Sequence, residues 1–183
     1  MHKRFEDFIA AMTRLTNEAA HNEPRILDEG AKLLGDLVRH DDWLDARHAV
    51  PHPQFYQQFL LHRAPDDSFS VVSFVWGPGQ KTPIHDHTVW GLIGMLRNAE
   101  VSQSFDRDEN TGTLTATEQV RLEPGTVEAV SPTIGDVHQV INAFDDRVSI
   151  SIHVYGADIG KVRRHVFDPA TGAAKEFVSG YAN

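Results

Sequence analysis

Three histidines carry the strongest chemical signal in the sequence. His85 and His87 close the run Gly79-Gln80-Lys81-Thr82-Pro83-Ile84-His85-Asp86-His87, and His138 lies within Pro132-Thr133-Ile134-Gly135-Asp136-Val137-His138-Gln139-Val140-Ile141-Asn142. On a strand, side chains at i and i+2 share a face, so His85 and His87 can both reach inward while Asp86 points away. His138 follows a proline and a glycine that turn the chain into a new strand, the placement expected of a third ligand delivered across a small barrel from a different hairpin. Three neutral imidazoles suit a borderline divalent metal and leave coordination positions open for small reactants. The chain has no cysteine, so thiolate ligands and disulfides are excluded and any metal must be held by His and oxygen.

A second polar group lies further along. Ser149-Ile150-Ser151-Ile152-His153-Val154-Tyr155 alternates strictly, which puts Ser149, Ser151, His153 and Tyr155 on one face and Ile150, Ile152 and Val154 on the other. Two readings follow. The polar face of an antiparallel sheet commonly meets water; alternatively it lines an internal cavity, where Ser151, His153 and Tyr155 can form a hydrogen-bonded relay with the imidazole oriented between two hydroxyls.

The elements that must position these residues are two helices and a set of strands. Phe5, Phe8, Ile9, Met12 and Leu15 recur at three- and four-residue spacing, and Ile26, Leu27, Gly30, Leu33, Leu34, Leu37 and Val38 repeat the pattern after Asn22-Glu23-Pro24. A proline near the helix start costs no hydrogen bond, so the second helix is expected to begin close to Pro24. The region to about residue 48 is therefore expected to be a structural helical hairpin packed on one side of a β domain. From about Gln54, runs such as Phe55–Leu61, Phe69–Trp76, Val89–Leu96 and Val148–Tyr155 are separated by turn clusters, as in an antiparallel barrel or jelly roll. At 183 residues, with no linker-like run, residues 1–183 are expected to form one domain.

Composition narrows the partners. A formal net charge of −9 argues against a nucleic-acid surface, which needs a basic patch to neutralise phosphates. A small anionic substrate remains compatible, because one buried arginine reverses the sign locally. Lys3, Arg4, Glu6, Asp7 and Arg14 interrupt the apolar residues of the first twenty, leaving neither a signal-type apolar stretch nor a membrane span. A cytoplasmic enzyme with no membrane partner is expected.

Gly79 six residues before His85, Gly135 three before His138 and Asn142 four after it, taken with the three histidines, resemble the two-part signature of the cupin superfamily. With the Ser151-x-His153-x-Tyr155 run added, the chain resembles the thiol dioxygenases, the cupin family that includes cysteine dioxygenase and 3-mercaptopropionate dioxygenase. The resemblance implies an all-β cupin barrel with N-terminal helices on one side. It implies one Fe(II) per chain, held by His85, His87 and His138 without a carboxylate ligand, and oxidation of a small thiol by O₂ to its sulfinate. Many cupins carry a Glu soon after the H-x-H pair, whereas Thr88-Val89-Trp90-Gly91-Leu92 contains none.

Two positions depart from the animal type of cysteine dioxygenase. That type has a cysteine shortly after the H-x-H pair, crosslinked to the active-site tyrosine; Gly91 occupies the region here, which leaves Tyr155 an unmodified phenol. The animal type also holds the substrate carboxylate with an arginine on an earlier strand, where this chain has Gln58. In both respects the sequence is similar to the bacterial 3-mercaptopropionate branch, which implies that Arg164 binds the substrate carboxylate through a two-pronged contact. Tyr155, oriented by His153 and Ser151, is implied to hydrogen-bond the reacting groups. The alternatives are a cysteine dioxygenase that uses the same metal, and a non-catalytic cupin that binds a small ligand through a metal, since fold alone does not fix function.

Overall fold

Helix α1 (Lys3–Ala19) and helix α2 (Glu23–Val38) open a computed structural model of the chain that describes residues 2–20 and 22–183. The α1 stripe buries Phe5, Phe8, Met12, Leu15 and Ala19. Helix α2 starts where expected: the Asn22 side chain accepts the Arg25 N–H at 3.2 Å, and Pro24 sits in the first turn.

A short 3-10 turn at Ala46–His48 leads into the strands β1 (Gln57–Arg63), β2 (Ser70–Trp76), β3 (Ile84–His85), β4 (Gly91–Arg97), β5 (Glu100–Arg107), β6 (Leu114–Leu122), β7 (Val127–Val130), β8 (His138–Asn142), β9 (Ser149–Tyr155), β10 (Arg164–Phe167) and β11 (Ala174–Phe177). They form two antiparallel sheets in the orders β1-β2-β9-β4-β7 and β11-β10-β3-β8-β5-β6. This is the expected jelly-roll barrel with its helices on one side. Strands β1 and β4 each begin two residues later than expected. Phe55 does not enter β1; it is half exposed and stacks on His52 with ring centroids 3.7 Å apart. Val89 and Trp90 fall in the turn after Thr88, whose φ is 61°.

The central strands of the five-stranded sheet, β2, β9 and β4, are buried on both faces. Val71, Val75, Leu92, Leu96, Ile150, Ile152 and Val154 face the helices and join Phe5, Phe8, Met12, Leu34 and Leu37 in one core. Helix α2 approaches β4 closely because Gly94 has no side chain: a Cβ there would stand 2.8 Å from Leu34 Cγ. Shortening fully buried Met12 or Leu34 to alanine would leave a cavity between helix and sheet, at a cost of about 2–5 kcal/mol. The opposite face of the same sheet carries Phe74, Trp76, His153 and Tyr155 toward the six-stranded sheet, and residues of both sheets line a cavity of about 520 Å³.

Asn142 closes the end of this barrel. Its Nδ2 donates to the carbonyls of Trp76, Gly77 and Arg147 at 3.2, 3.0 and 2.8 Å, joining the ends of β2 and β8 to the start of β9. Gly135, at φ 120°, makes the turn that delivers β8, a conformation for which glycine is the suited residue.

Candidate metal centre

The three histidines converge, but not by the route the spacing suggests. Strand β3 is only two residues long, so His85 lies on a strand and His87 in the turn that follows. His138 arrives from the neighbouring strand of the same sheet, directly opposite His85 in the β3/β8 ladder, and not across the barrel. Local turn geometry and short pairing therefore replace the regular i, i+2 strand clamp. The outcome is the same: one ring nitrogen from each histidine lies within 4.8 Å of the others, and the ring centroids are 4.8–4.9 Å apart.

Hydrogen bonds fix which nitrogen each ring presents. His85 Nδ1–H donates to the Pro83 carbonyl at 3.1 Å, and His87 Nδ1–H donates to Asp136 Oδ1 at 2.9 Å. Both partners can only accept, so the Nε2 lone pairs of His85 and His87 are bare. His138 Nδ1 is engaged with Ser102 Oγ at 3.1 Å. Burial and the neighbouring imidazoles hold His85 and His138 well below the usual histidine pKa, hence neutral. His87 Nε2 is buried with no hydrogen-bond partner. An orphaned, buried lone pair among neutral imidazoles is the chemistry of a divalent metal site, so the donor set fits such an ion. Among the described residues no carboxylate joins the three histidines as a fourth ligand group.

Asp136 was not singled out from sequence, yet it holds the site together. Besides the His87 ring, its Oδ2 accepts the backbone N–H of His87 at 3.0 Å and of Thr88 at 2.8 Å. Its position two residues before His138 in the second motif was the available signal. Asp86 points away as expected, accepting the His165 N–H at 2.7 Å and contacting His165 Nδ1 at 2.8 Å. Because His165 faces outward to Asp86, strand alternation turns Arg164 inward, on the face it shares with His85 through the Val166–His85 pair.

Of the two readings of the polar face of β9, the internal one is observed. Ser151, His153 and Tyr155 are all buried. Ser151 Oγ lies 2.8 Å from His153 Nε2, and His153 Nδ1 lies 2.8 Å from the Tyr155 hydroxyl. Trp76 Nε1–H donates to Ser151 Oγ at 3.2 Å, and the Phe74 ring stacks on His153 at 4.1 Å. Burial holds His153 well below its ordinary pKa and pushes the Tyr155 phenol up. The Tyr155 ring stacks against His87 at 5.4 Å, which places the relay beside the three histidines.

Arg164 is 3% exposed and lines the same cavity, whereas adjacent Arg163 is exposed and pairs with Glu176 at 3.7 Å. Arg164 Nη2 donates to Ser179 Oγ at 2.6 Å and its guanidinium lies 4.7 Å from the Phe177 ring centre. Its Nε is buried without a hydrogen-bond partner, and burial lowers its pKa. Gln58 also lines the cavity, but its amide donates to the Gly180 carbonyl. The segment 179–182 thus forms part of the wall, fixed at Tyr181, whose hydroxyl donates to Asp158 at 2.5 Å. Sequence patterning gave no sign of Ser179 or Tyr181, which lie outside any regular element.

The family model for cysteine dioxygenase type I matches residues 36–168. Among solved structures, the chain is similar to a cupin 2 domain-containing protein from Halorhodospira halophila, at 14% identity over 67% of this chain and 77% of that chain, with a TM-score of 0.49. It is also similar to a cupin superfamily protein from Desulfitobacterium hafniense, at 14% identity over 58% of this chain and 82% of that chain, with a TM-score of 0.45.

Proposed function

The chain belongs to the cysteine dioxygenase type I family, a family of non-haem iron dioxygenases, and from that membership we propose that it oxidises a small carboxylated thiol to its sulfinate, with 3-mercaptopropionate as the favoured substrate. The reaction balances as R–SH + O₂ → R–SO₂⁻ + H⁺: sulfur gives up four electrons and both oxygen atoms end on it. One Fe(II), held by His85, His87 and His138, would supply thiol deprotonation and dioxygen activation. The remaining tasks belong to the side chains around it.

The observation that carries the substrate class is the Arg164 guanidinium, buried in the cavity wall with no carboxylate of the described residues in ion-pair contact. A buried cation without a counter-ion is costly, and a ligand carboxylate would offset that cost. Arg164 binds the carboxylate and thereby orients the thiol end toward the three histidines. Apolar walls from Phe74, Trp76, Val140 and Val166 fit the methylene chain and exclude water.

The choice of 3-mercaptopropionate over cysteine rests on the amino group. No Asp or Glu lines the cavity among the described residues, so an ammonium would share the space with Arg164 and meet no anion. Gln58 is neutral and donates to Gly180, so it adds no second cation for the carboxylate. Tyr155 holds its hydroxyl at the cavity wall, and His153 with Ser151 fixes its direction. It can donate to a developing negative charge on the reacting atoms without leaving the relay.

Oxygen uptake by the iron-loaded protein, measured against a panel of small thiols with sulfinate quantified, tests this reading. The expected result is the highest kcat/KM with 3-mercaptopropionate and stoichiometric 3-sulfinopropionate. A tenfold preference for cysteine would overturn the substrate, and no uptake with any thiol would overturn the class.

A further inference from the structure

Glu100 is fully buried on β5, and none of the roles above uses it. Its carboxyl accepts from Ser149 Oγ at 3.1 Å, and Oε2 is buried with no hydrogen-bond partner, while Ser151, on the same face of β9 as Ser149, acts on the carboxyl from beside it. Leu122 of β6 and Asn142 of β8 are its ladder partners. Glu128 from β7 repels it, and neutral His153 from β9 lies beyond Ser151. On β4 the nearest cation in sequence, Arg97, pairs with Asp41 at 2.7 Å.

We propose that Glu100 is a positioning residue that terminates the Ser151–His153–Tyr155 relay, its carboxyl proton setting the direction of every hydrogen bond along it. This rests on the reading of that relay as part of a thiol dioxygenase site. Trp76 Nε1–H can only donate, so it occupies one lone pair of Ser151 whatever the state of the relay. Ser151 then has a single proton to give. When Glu100 is protonated it donates to Ser151, Ser151 donates to His153 Nε2, and His153 carries its proton on Nδ1 and donates it to the Tyr155 oxygen. The phenol proton is then directed into the cavity. When Glu100 is a carboxylate it takes the Ser151 proton, Ser151 accepts from His153 Nε2–H, and bare Nδ1 accepts the phenol proton, which turns away from the cavity.

The two states differ by one proton and no bond between heavy atoms. If Tyr155 releases its proton into the cavity, the His153 Nδ1 proton moves to the phenol oxygen, the Ser151 proton to Nε2 and the Glu100 proton to Ser151. The carboxylate is left at the far end, and the reverse sequence reloads it. Burial pushes the Glu100 carboxyl up to about 8, so near neutral pH the relay is loaded with the phenol proton facing the cavity. His153 is held neutral, so its two tautomers are the states that matter.

Glu100→Gln tests this, because the amide keeps the shape and donates to Ser151 at every pH. In the wild-type protein, infrared spectra should show a protonated buried carboxyl that titrates near pH 8 and is missing from E100Q. Nitrogen NMR should show His153 passing from the Nδ1–H to the Nε2–H tautomer over the same range, and remaining Nδ1–H in E100Q. With thiol present, turnover of the wild type should fall about tenfold from about pH 7 to about pH 9, and the E100Q profile should lose that step. Ser151→Ala should keep the carboxyl band but uncouple His153 from it, so the proposal remains testable if E100Q does not fold. A carboxyl band that persists in E100Q, or a His153 tautomer that ignores pH in the wild type, overturns it. The spectroscopic readouts need no turnover. A tautomer switch without any thiol oxidation would therefore count against the proposed reaction and leave the relay intact.

Discussion

Gly91 lies directly opposite Tyr155 in the β4/β9 ladder, so close that a Cβ at Gly91 would stand 3.0 Å from both Cδ1 and Cε1 of the tyrosine ring. Val130 Cγ2 closes the other side at 3.1 Å. The phenol is thus held in place by the lack of a side chain across from it. Gly91→Ala should push the ring and stretch its 2.8 Å bond to His153. Overpacking of this kind costs about 1–3 kcal/mol. The expected outcome is a lower Tm together with lower turnover and an unchanged metal content; turnover equal to wild type would show that the ring position is not critical.

Tyr155→Phe removes a hydroxyl and no metal-binding atom. Metal content should stay near one per chain, while kcat falls by about 10²–10⁴-fold, the range for a positioned proton donor. Steady-state kinetics with sulfinate quantification checks this. Unchanged kcat and unchanged coupling of oxygen use to product would remove Tyr155 from the reaction.

Asp136 fixes His87 through its ring and its backbone N–H, so Asp136→Asn should weaken metal binding by about 10–100-fold. His138→Ala removes a donor outright and should cost more. Competition titration against a chelator ranks the three proteins. Full iron occupancy of His138→Ala under competition would dismiss the assignment of the ligands.

Both helices, the barrel and the three histidines were legible because each is written in local periodicity or in two short motifs. The apolar stripe of α1 and the alternation of β9 are properties of neighbouring residues, and burial preserved them. What escaped depends on partners distant in sequence. Nothing near His87 signals that it sits in a turn, because Asp136, forty-nine residues on, supplies the bonds that a longer strand would have supplied. Whether the polar face of β9 met water or a cavity was decided by the six-stranded sheet opposite it. Local sequence does not distinguish Arg164 from adjacent Arg163; the Asp86–His165 contact, seventy-nine residues apart, is what turns one of them inward.

Burial of titratable groups gives the metal-free protein a stability optimum. His85, His138 and His153 titrate well below 6.5 when folded and near 6.5 when unfolded. Below about that pH the unfolded chain binds more protons, so stability falls as pH falls. Glu100 acts with the opposite sign: it titrates at about 8 when folded against 4.5 as an ordinary carboxyl, so the folded chain holds the extra proton between those values and stability falls as pH rises through that window. Each proton contributes a slope of up to about 1.4 kcal/mol per pH unit. His48 and His62, also held down by burial, add to the acid arm and buried Glu128, held up, adds to the alkaline one, so the maximum should lie close to about pH 7. Urea denaturation across pH should show both arms, and Glu100→Gln should flatten the alkaline one. An alkaline arm identical in the two proteins would mean that Glu100 does not titrate as its burial requires.

Arg164 offers the clearest separation of binding from chemistry. Its guanidinium is held by Ser179 and Phe177 in a wall of the cavity, not at the three histidines, so removing it leaves the donor set intact. Arg164→Ala should penalise a carboxylated thiol by about 2–5 kcal/mol in kcat/KM, the range for losing one side of a buried charge pair. Cysteamine has a thiol and no carboxylate, so its kcat/KM should change little. Arg164→Lys keeps the charge but loses the planar fork and should recover only part of the deficit. The comparison is internal to each variant, since a general loss of folding or metal would lower both substrates together. Equal loss for 3-mercaptopropionate and cysteamine would place Arg164 in the architecture of the wall and leave the carboxylate without its proposed partner.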